Sequence, residues 1–152
     1  MFGETLISGE GRALSDGRTL VAGRATGTAL VLDEPLSFWG GLDPATGDLI
    51  DTHHPQLGAN LAGRVLVMPS GRGSSSSSSV LAEALRAGTG PAAVVLRDPD
   101  EIVALGAVVA RELYGIETPV IMVDAGAYDA LETGAIVEVD GSIDGASVRP
   151  TD

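Results

Sequence analysis

Between residues 64 and 123 the chain alternates short apolar runs with longer helix-like stretches: RVLVM at 64–68, a helical stretch over 79–87, AAVVLR at 92–97, a second over 100–114, and PVIMV at 119–123. The 92–97 run is continuously apolar, the pattern of a strand buried on both faces. Gly88 closes the first helical stretch, as glycine does just past a helix end. Asp98-Pro99-Asp100 opens the second, with proline near the first turn and acids at the positive end of the helix dipole. Strand, helix, strand, helix, strand predicts a right-handed parallel α/β unit.

What flanks this unit is also β-like. Residues 18–32 read as two strands punctuated by Gly23 and Gly27, residues 134–140 as a late strand, and the tail from 145 as a last short one. Residues 33–63 are rich in Gly, Pro and Asp and read as a long ordered loop with a short hairpin. Loops of that length inside a compact domain tend to be functional. The expectation is one α/β domain over 1–152: a parallel α/β core with additional strands from both ends. No internal repeat is visible.

Composition narrows the function classes. Hydrophobic residues make up 44% of the chain but aromatics only 3%, so the core is built from Val, Leu, Ile and Ala. The net charge is −12 and there is no lysine, which argues against nucleic acid and anionic membrane as partners. Without cysteine the chain has no disulfide, no thiol nucleophile and no thiolate ligands. The start lacks the pattern of a signal peptide, and no apolar run approaches the roughly 20 residues that span a bilayer. The cytoplasm is the expected location.

The segment GRGSSSSSS at 71–79 joins a buried strand to a helix with no spacer. Gly71 and Gly73 permit a sharp turn. The first N–H groups of the helix lack intrahelical acceptors, and the dipole is positive there. The serines can cap that end, or they can hold a carboxylate or phosphate; both readings stand. The loop is not a P-loop, since no Lys follows the second Gly. It is not a dinucleotide fingerprint, since the third Gly is missing, nor a Gly-x-Ser-x-Gly elbow. Arg72, a cation within this loop, faces either an anionic ligand or the protein's own carboxylates. His53 and His54 are adjacent, a poor spacing for a metal site, and read as loop histidines. Asp43, Asp48 and Asp51 read as turn residues. No metal site is expected on this chain.

The stretch PSGRGSSSSSSVLAEALRAGTGPAAVVLRDPDEIVALGAVVARELYGIETPVIMVD, with WGGLDPATGDLIDTHHPQLGANLAGRVLVMPSGRG before it, resembles the small subunit, or swivel domain, of the aconitase X family. The resemblance covers roughly residues 23–124. Gly-Gly-x-Asp, Thr-Gly-x-x-Ile-Asp, His-Pro, Gly-Arg-Gly-Ser and Pro-Asp-x-Ile follow in the family's order. It implies a swivelling β/β/α fold and a role as half of a hydro-lyase. In this family a larger subunit carries an iron–sulfur or metal centre, and the smaller one supplies a catalytic serine. By position that serine is Ser74, acting as general base. Gly71, Arg72, Gly73 and Ser75 are then the substrate-binding residues. Two hydroxy-acid substrates go with the family, cis-3-hydroxy-L-proline and mevalonate 5-phosphate. The scarcity of basic residues leans toward the first. The implied partner is a larger subunit in a heterodimer, with no nucleic acid and no membrane.

Two other readings compete. VVARELYGIETPVIMVD and DALETGAIVEVDGSIDGASV also resemble the phosphohistidine domain of phosphoenolpyruvate-utilising enzymes, which has the same swivelling architecture. Its histidine falls near Leu105, where no histidine stands, so phosphotransfer is not expected. A non-catalytic anion-binding module is the third class. The Gly-rich loop with Trp39, Gly40, Gly41 and His54 is a candidate contact or lid against the partner, and Trp39 reads equally well as a core plug.

Overall fold

The computed structural model describes residues 17–151. Seven strands form one mixed sheet in the order β1-β5-β4-β3-β2-β6-β7. In chain order they are β1 Arg18–Val21, β2 Gly23–Val31, β3 Val65–Met68, β4 Ala93–Leu96, β5 Val120–Met122, β6 Ile136–Ser142 and β7 Gly145–Pro150. The central four, β2 to β5, are parallel. They are linked through α2 (Ser77–Ala87) and α3 (Glu101–Tyr114), so the parallel α/β unit expected from the alternation is present. β1, β6 and β7 add antiparallel pairings. The two edges of the sheet meet where Gly17 and Ala146 exchange N–H···O bonds of 3.0 and 3.2 Å.

That curvature makes the swivelling β/β/α layering. Every residue of β3 and β4 is buried, and successive side chains point to opposite faces. Leu66, Met68, Val94 and Leu96 pack under the helices with Leu81, Leu85 and Val103. Val65, Val67, Ala93 and Val95 pack against Val137, Val139 and Val148 of the returning strands. Each fully buried aliphatic chain contributes about 1.5–3 kcal/mol, so two apolar faces on two four-residue strands hold the layers together with almost no aromatic residue.

The details depart from the sequence reading at four places. The first break in the 18–32 segment is at Ala22, and β2 runs through Gly27, which pairs with Val137. The first long helix begins at Ser77, two residues earlier than expected, so half of the serine run is helical. A short helix not expected from the sequence, α4 (Ala125–Asp129), is capped by Asp124, whose side chain accepts from the Ala127 N–H. Pro99 lies just before the cap of α3, and Asp100 is the cap itself, accepting from Ile102 and Val103. The 33–63 segment is ordered. A one-turn element, α1 (Phe38–Gly41), carries non-helical angles at Trp39 and Gly40. Antiparallel bridges Leu42↔Leu49 and Asp48↔Asn60 supply the expected hairpin. Leu36, Phe38, Leu42, Leu49 and Leu61 bury the segment against the helical side of the core. Among the described residues no helix is long and apolar enough to cross a membrane.

Candidate active site

The serine loop leaves the carboxyl end of β3 and leads directly into α2. Its first residues are fixed from two sides. The Gly71 N–H donates to Asp100 Oδ2 at 2.8 Å, and the Arg72 N–H donates to the Leu36 carbonyl at 3.1 Å. Oδ1 of the same Asp100 caps α3, so one carboxylate joins the loop to a helix N-terminus. A side chain at Gly71 would place its Cβ 2.6 Å from Asp100 Oδ2, closer than any real contact. Gly73 has φ +87°, a left-handed conformation that L side chains disfavour. Both glycines of Gly71-Arg72-Gly73 are therefore demanded by the structure, one for space and one for backbone geometry.

Ser74 follows at the head of α2, partly exposed. Its hydroxyl oxygen accepts the Ser76 N–H at 3.0 Å, while its carbonyl accepts the Ser77 N–H at 3.0 Å. Ser76, at the formal cap position, makes no side-chain cap bond. The first helix N–H groups, of Ser77, Ser78 and Ser79, are taken by the carbonyls of Ser74, Ser75 and Ser76, and Ser74 Oγ closes a turn three residues ahead of the helix. The Ser76 N–H that bonds Ser74 Oγ would stabilise negative charge there, with the dipole of an eleven-residue helix behind it. Ser75 is exposed beside it.

Ser77 is different, buried at 3% exposure. Its oxygen accepts the Trp39 N–H at 3.1 Å and lies 3.3 Å from Ser37 Oγ. Ser37 in turn donates to the Trp39 carbonyl at 3.0 Å. With Ser37 donating there, Ser77 must be the donor between the two hydroxyls. The closed ring Trp39 N–H → Ser77 → Ser37 → Trp39 C=O ties the 37–41 loop to the first turn of α2. Trp39 itself is 60% exposed and Phe38, at 1%, is the core plug. The sequence reading left Trp39 open between plug and surface contact, and the structure puts it at the surface. Nothing in the pattern marked Ser77 out from its neighbours; only its burial does.

The other expected residues fall in varied places. Gly40 is exposed at φ +80° and Gly41 is buried beneath it. His54, grouped above with Trp39 as a surface contact, lies in the interior at 4% exposure. Its Nδ1 accepts the Gln56 N–H at 3.0 Å, so Nε2 carries the proton and donates to the Glu34 carbonyl at 3.0 Å. His54 is thus a brace for the loop, with no ring nitrogen left for a partner. Asp43, Asp48 and Asp51 bind Ala45 N–H, the Asn60 side chain and His53 N–H respectively, the turn roles expected of them. Arg72 Nη2 lies 3.6 Å from Glu34 Oε1, both side chains half exposed. Leu105 is exposed on α3, so the residue in the phosphohistidine register is a surface leucine. Among the described residues no group of three or more His, Cys, Asp or Glu could hold a metal ion, and the chain has no cysteine. An iron–sulfur cluster does not fit this chain's own donors.

A cavity of about 40 Å³ opens between Gly71, Arg72, Gly73, Ser77, Asp100 and Phe38. That is room for about one water molecule. By itself the cavity is too small to enclose an organic acid.

A family model described as the aconitase X swivel domain matches residues 14–148. The chain belongs to that family. It is 55% identical over 103 residues to a cis-3-hydroxy-L-proline dehydratase of Pseudomonas aeruginosa, covering 68% of this chain and 18% of the relative. It is 40% identical over 124 residues to the phosphomevalonate dehydratase small subunit of Thermococcus sibiricus, covering 82% and 89% respectively. The crystal structure of Thermococcus kodakaraensis aconitase X in its holo form superposes with a TM-score of 0.78 at 35% identity, over 91% of this chain and 98% of that one. The chain spans about a fifth of the length of the hydroxyproline dehydratases it matches.

Proposed function

We propose that this swivel domain supplies the catalytic serine of an aconitase-like hydro-lyase that dehydrates cis-3-hydroxy-L-proline to a pyrroline carboxylate. The domain works with a larger subunit in a heterodimer. Ser74 is the base, taking the proton beside the substrate carboxylate, and Gly71, Arg72, Gly73 and Ser75 bind the substrate. The metal or iron–sulfur centre belongs to the larger partner. The observation that carries the reading is Ser74 Oγ, partly exposed at the head of α2 and already accepting an N–H.

Physical chemistry fixes what that arrangement must still receive. A serine is a poor base, and each unit by which its pKa must fall is about 1.4 kcal/mol. A hydrogen bond to a charged group supplies about 1.5–3 kcal/mol, which is one or two units from Ser76 N–H. The helix dipole adds up to about 2 kcal/mol where water is partly excluded. The isolated domain therefore falls short. The remainder has to come from closing the site, which strengthens every charge interaction inside it. An open loop with a 40 Å³ cavity is consistent with a half-site. The 55% identity to a hydroxyproline dehydratase favours that substrate over mevalonate 5-phosphate.

The test is turnover by the chain co-expressed with its larger subunit, with cis-3-hydroxy-L-proline and mevalonate 5-phosphate assayed in parallel. Ser74→Ala should lower kcat by about 10²–10⁴, the range for loss of a general base, with the complex intact. Full activity in the Ser74→Ala complex would reduce the serine loop to a structural element and favour the non-catalytic module.

A further inference from the structure

Two charged side chains border the Gly71–Ser74 loop and reach outward, Arg72 and Glu34. Their main chains are fixed. The Arg72 N–H is held by Leu36, and the Glu34 carbonyl is held by the buried His54 ring. Their side chains are not. At 3.6 Å, with both half exposed, the pair is longer than a charge-assisted hydrogen bond of about 2.7–2.9 Å. Among the described residues, Arg86–Glu83 at 2.6 Å and Arg149–Glu138 at 2.7 Å are the tight pairs. Asp100, the other carboxylate at the loop, has its oxygens taken by the N–H groups of Gly71, Ile102 and Val103. A loop that carries an arginine at the N-terminus of an eleven-residue helix is suited to an anion. A loosely paired glutamate beside it weakens that field, which is a disadvantage for a dianion and an advantage for a ligand that also carries a positive charge.

We infer that Glu34 and Arg72 together recognise a zwitterion, Arg72 taking the carboxylate and Glu34 the adjacent ring ammonium, so that Glu34 selects a cyclic imino acid over a phosphorylated hydroxy acid. The inference rests on the hydroxyproline reading above and adds Glu34 to it. Binding separates the two side chains at little cost, because exposed pairs of this kind are worth about 0–1 kcal/mol. Each then gains a partner inside the closed site. A phosphorylated substrate has no cation to offer Glu34 and meets its charge as repulsion.

The experiment uses the assembled two-subunit enzyme, as wild type, Glu34→Gln, Glu34→Asp and Ser74→Ala. The substrates are cis-3-hydroxy-L-proline and its ring-oxygen analogue, 3-hydroxytetrahydrofuran-2-carboxylate, which keeps the carboxylate and lacks the ammonium. L-Proline and tetrahydrofuran-2-carboxylate are compared as competitive inhibitors. Wild type should favour the nitrogen compounds. Glu34→Gln should raise KM for hydroxyproline about ten-fold, equivalent to about 1.4 kcal/mol, with kcat within two-fold. The same variant should leave the oxygen analogue unchanged or improved, so that the preference collapses, and Glu34→Asp should restore part of it. A structural role for Glu34 would move both compounds by the same factor, and that result overturns the inference. So does a preference that survives Glu34→Gln. If Ser74→Ala abolishes hydroxyproline turnover while Glu34→Gln preserves the preference, the dehydratase reading stands and the zwitterion inference alone falls. If wild type dehydrates mevalonate 5-phosphate and not hydroxyproline, both fall.

Discussion

Gly71→Ala tests the geometry that anchors the serine loop. A Cβ at this position lies 2.6 Å from Asp100 Oδ2 and 3.1 Å from Val103 Cγ2, so Asp100 must move. Moving it breaks the 2.8 Å bond from Gly71 N–H and disturbs the cap bonds to Ile102 and Val103 at 2.9 and 3.0 Å. Loss of a cap costs about 0.5–2 kcal/mol, and loss of a bond to a charged acceptor about 1.5–3 kcal/mol. Allowing for partial relaxation, Gly71→Ala should destabilise by about 2–4 kcal/mol, a fall of roughly 4–16 °C in Tm for a domain of this size. The assay is urea unfolding of wild type, Gly71→Ala, Asp100→Ala and the double variant. If the clash with Asp100 is the cause, Gly71→Ala costs under about 1 kcal/mol once Asp100 is already alanine, because interacting neighbours are non-additive. Additive losses would refute the reasoning and move the cost of the new methyl to Val103 or to the backbone.

Three further outcomes are expected. Ser77→Ala leaves the Trp39 N–H without its acceptor and should cost about 1–2 kcal/mol. Trp39 is the only tryptophan, so its fluorescence anisotropy should report a loosened 37–41 loop directly, and Ser77→Thr, which keeps the hydroxyl, should restore it. Tyr128→Phe should leave stability unchanged or raise it by up to about 1 kcal/mol, because among the described residues the buried Tyr128 hydroxyl lacks a hydrogen-bond partner. Burial, opposed by Arg97, pushes that hydroxyl above its ordinary 10.0. A raised folded pKa means stability is intact below pH 10.0 and lost as pH climbs through the folded value. Denaturation midpoints from pH 9 to 11 should therefore decline more steeply in wild type than in Tyr128→Phe. At the acid end, hydrogen bonds from Arg149, with help from Arg24, hold the Glu138 carboxyl below its ordinary 4.5. A depressed folded pKa gives stability that is present above 4.5 and lost as pH falls through the folded value. Glu138→Gln should flatten that limb of the curve, and an unchanged limb would assign it to other carboxylates.

The sequence by itself determined the parallel core. Val65–Met68 and Ala93–Leu96 are apolar at every position, and such strands are stable only between two apolar layers; the helices and the end strands supply them. Gly88 and Asp100 marked helix ends because their conformational and capping chemistry is local. Gly71-Arg72-Gly73-Ser74 was legible as a tight turn into a helix for the same reason, because glycine permissiveness and helix-start chemistry are properties of neighbours in the chain; its catalytic reading came from the family resemblance and is a proposal. The tertiary structure decided what depended on distant residues. It put Phe38 in the core and Trp39 at the surface, although both are aromatic and adjacent. It turned His54 inward onto Glu34, twenty residues away. It separated Ser77 from five chemically identical serines by packing it under the Trp39 loop, and it brought Glu34 beside Arg72. Identical side chains carry no local information that tells them apart. Only the contacts made where the 33–63 loop packs on α2 single out Ser77.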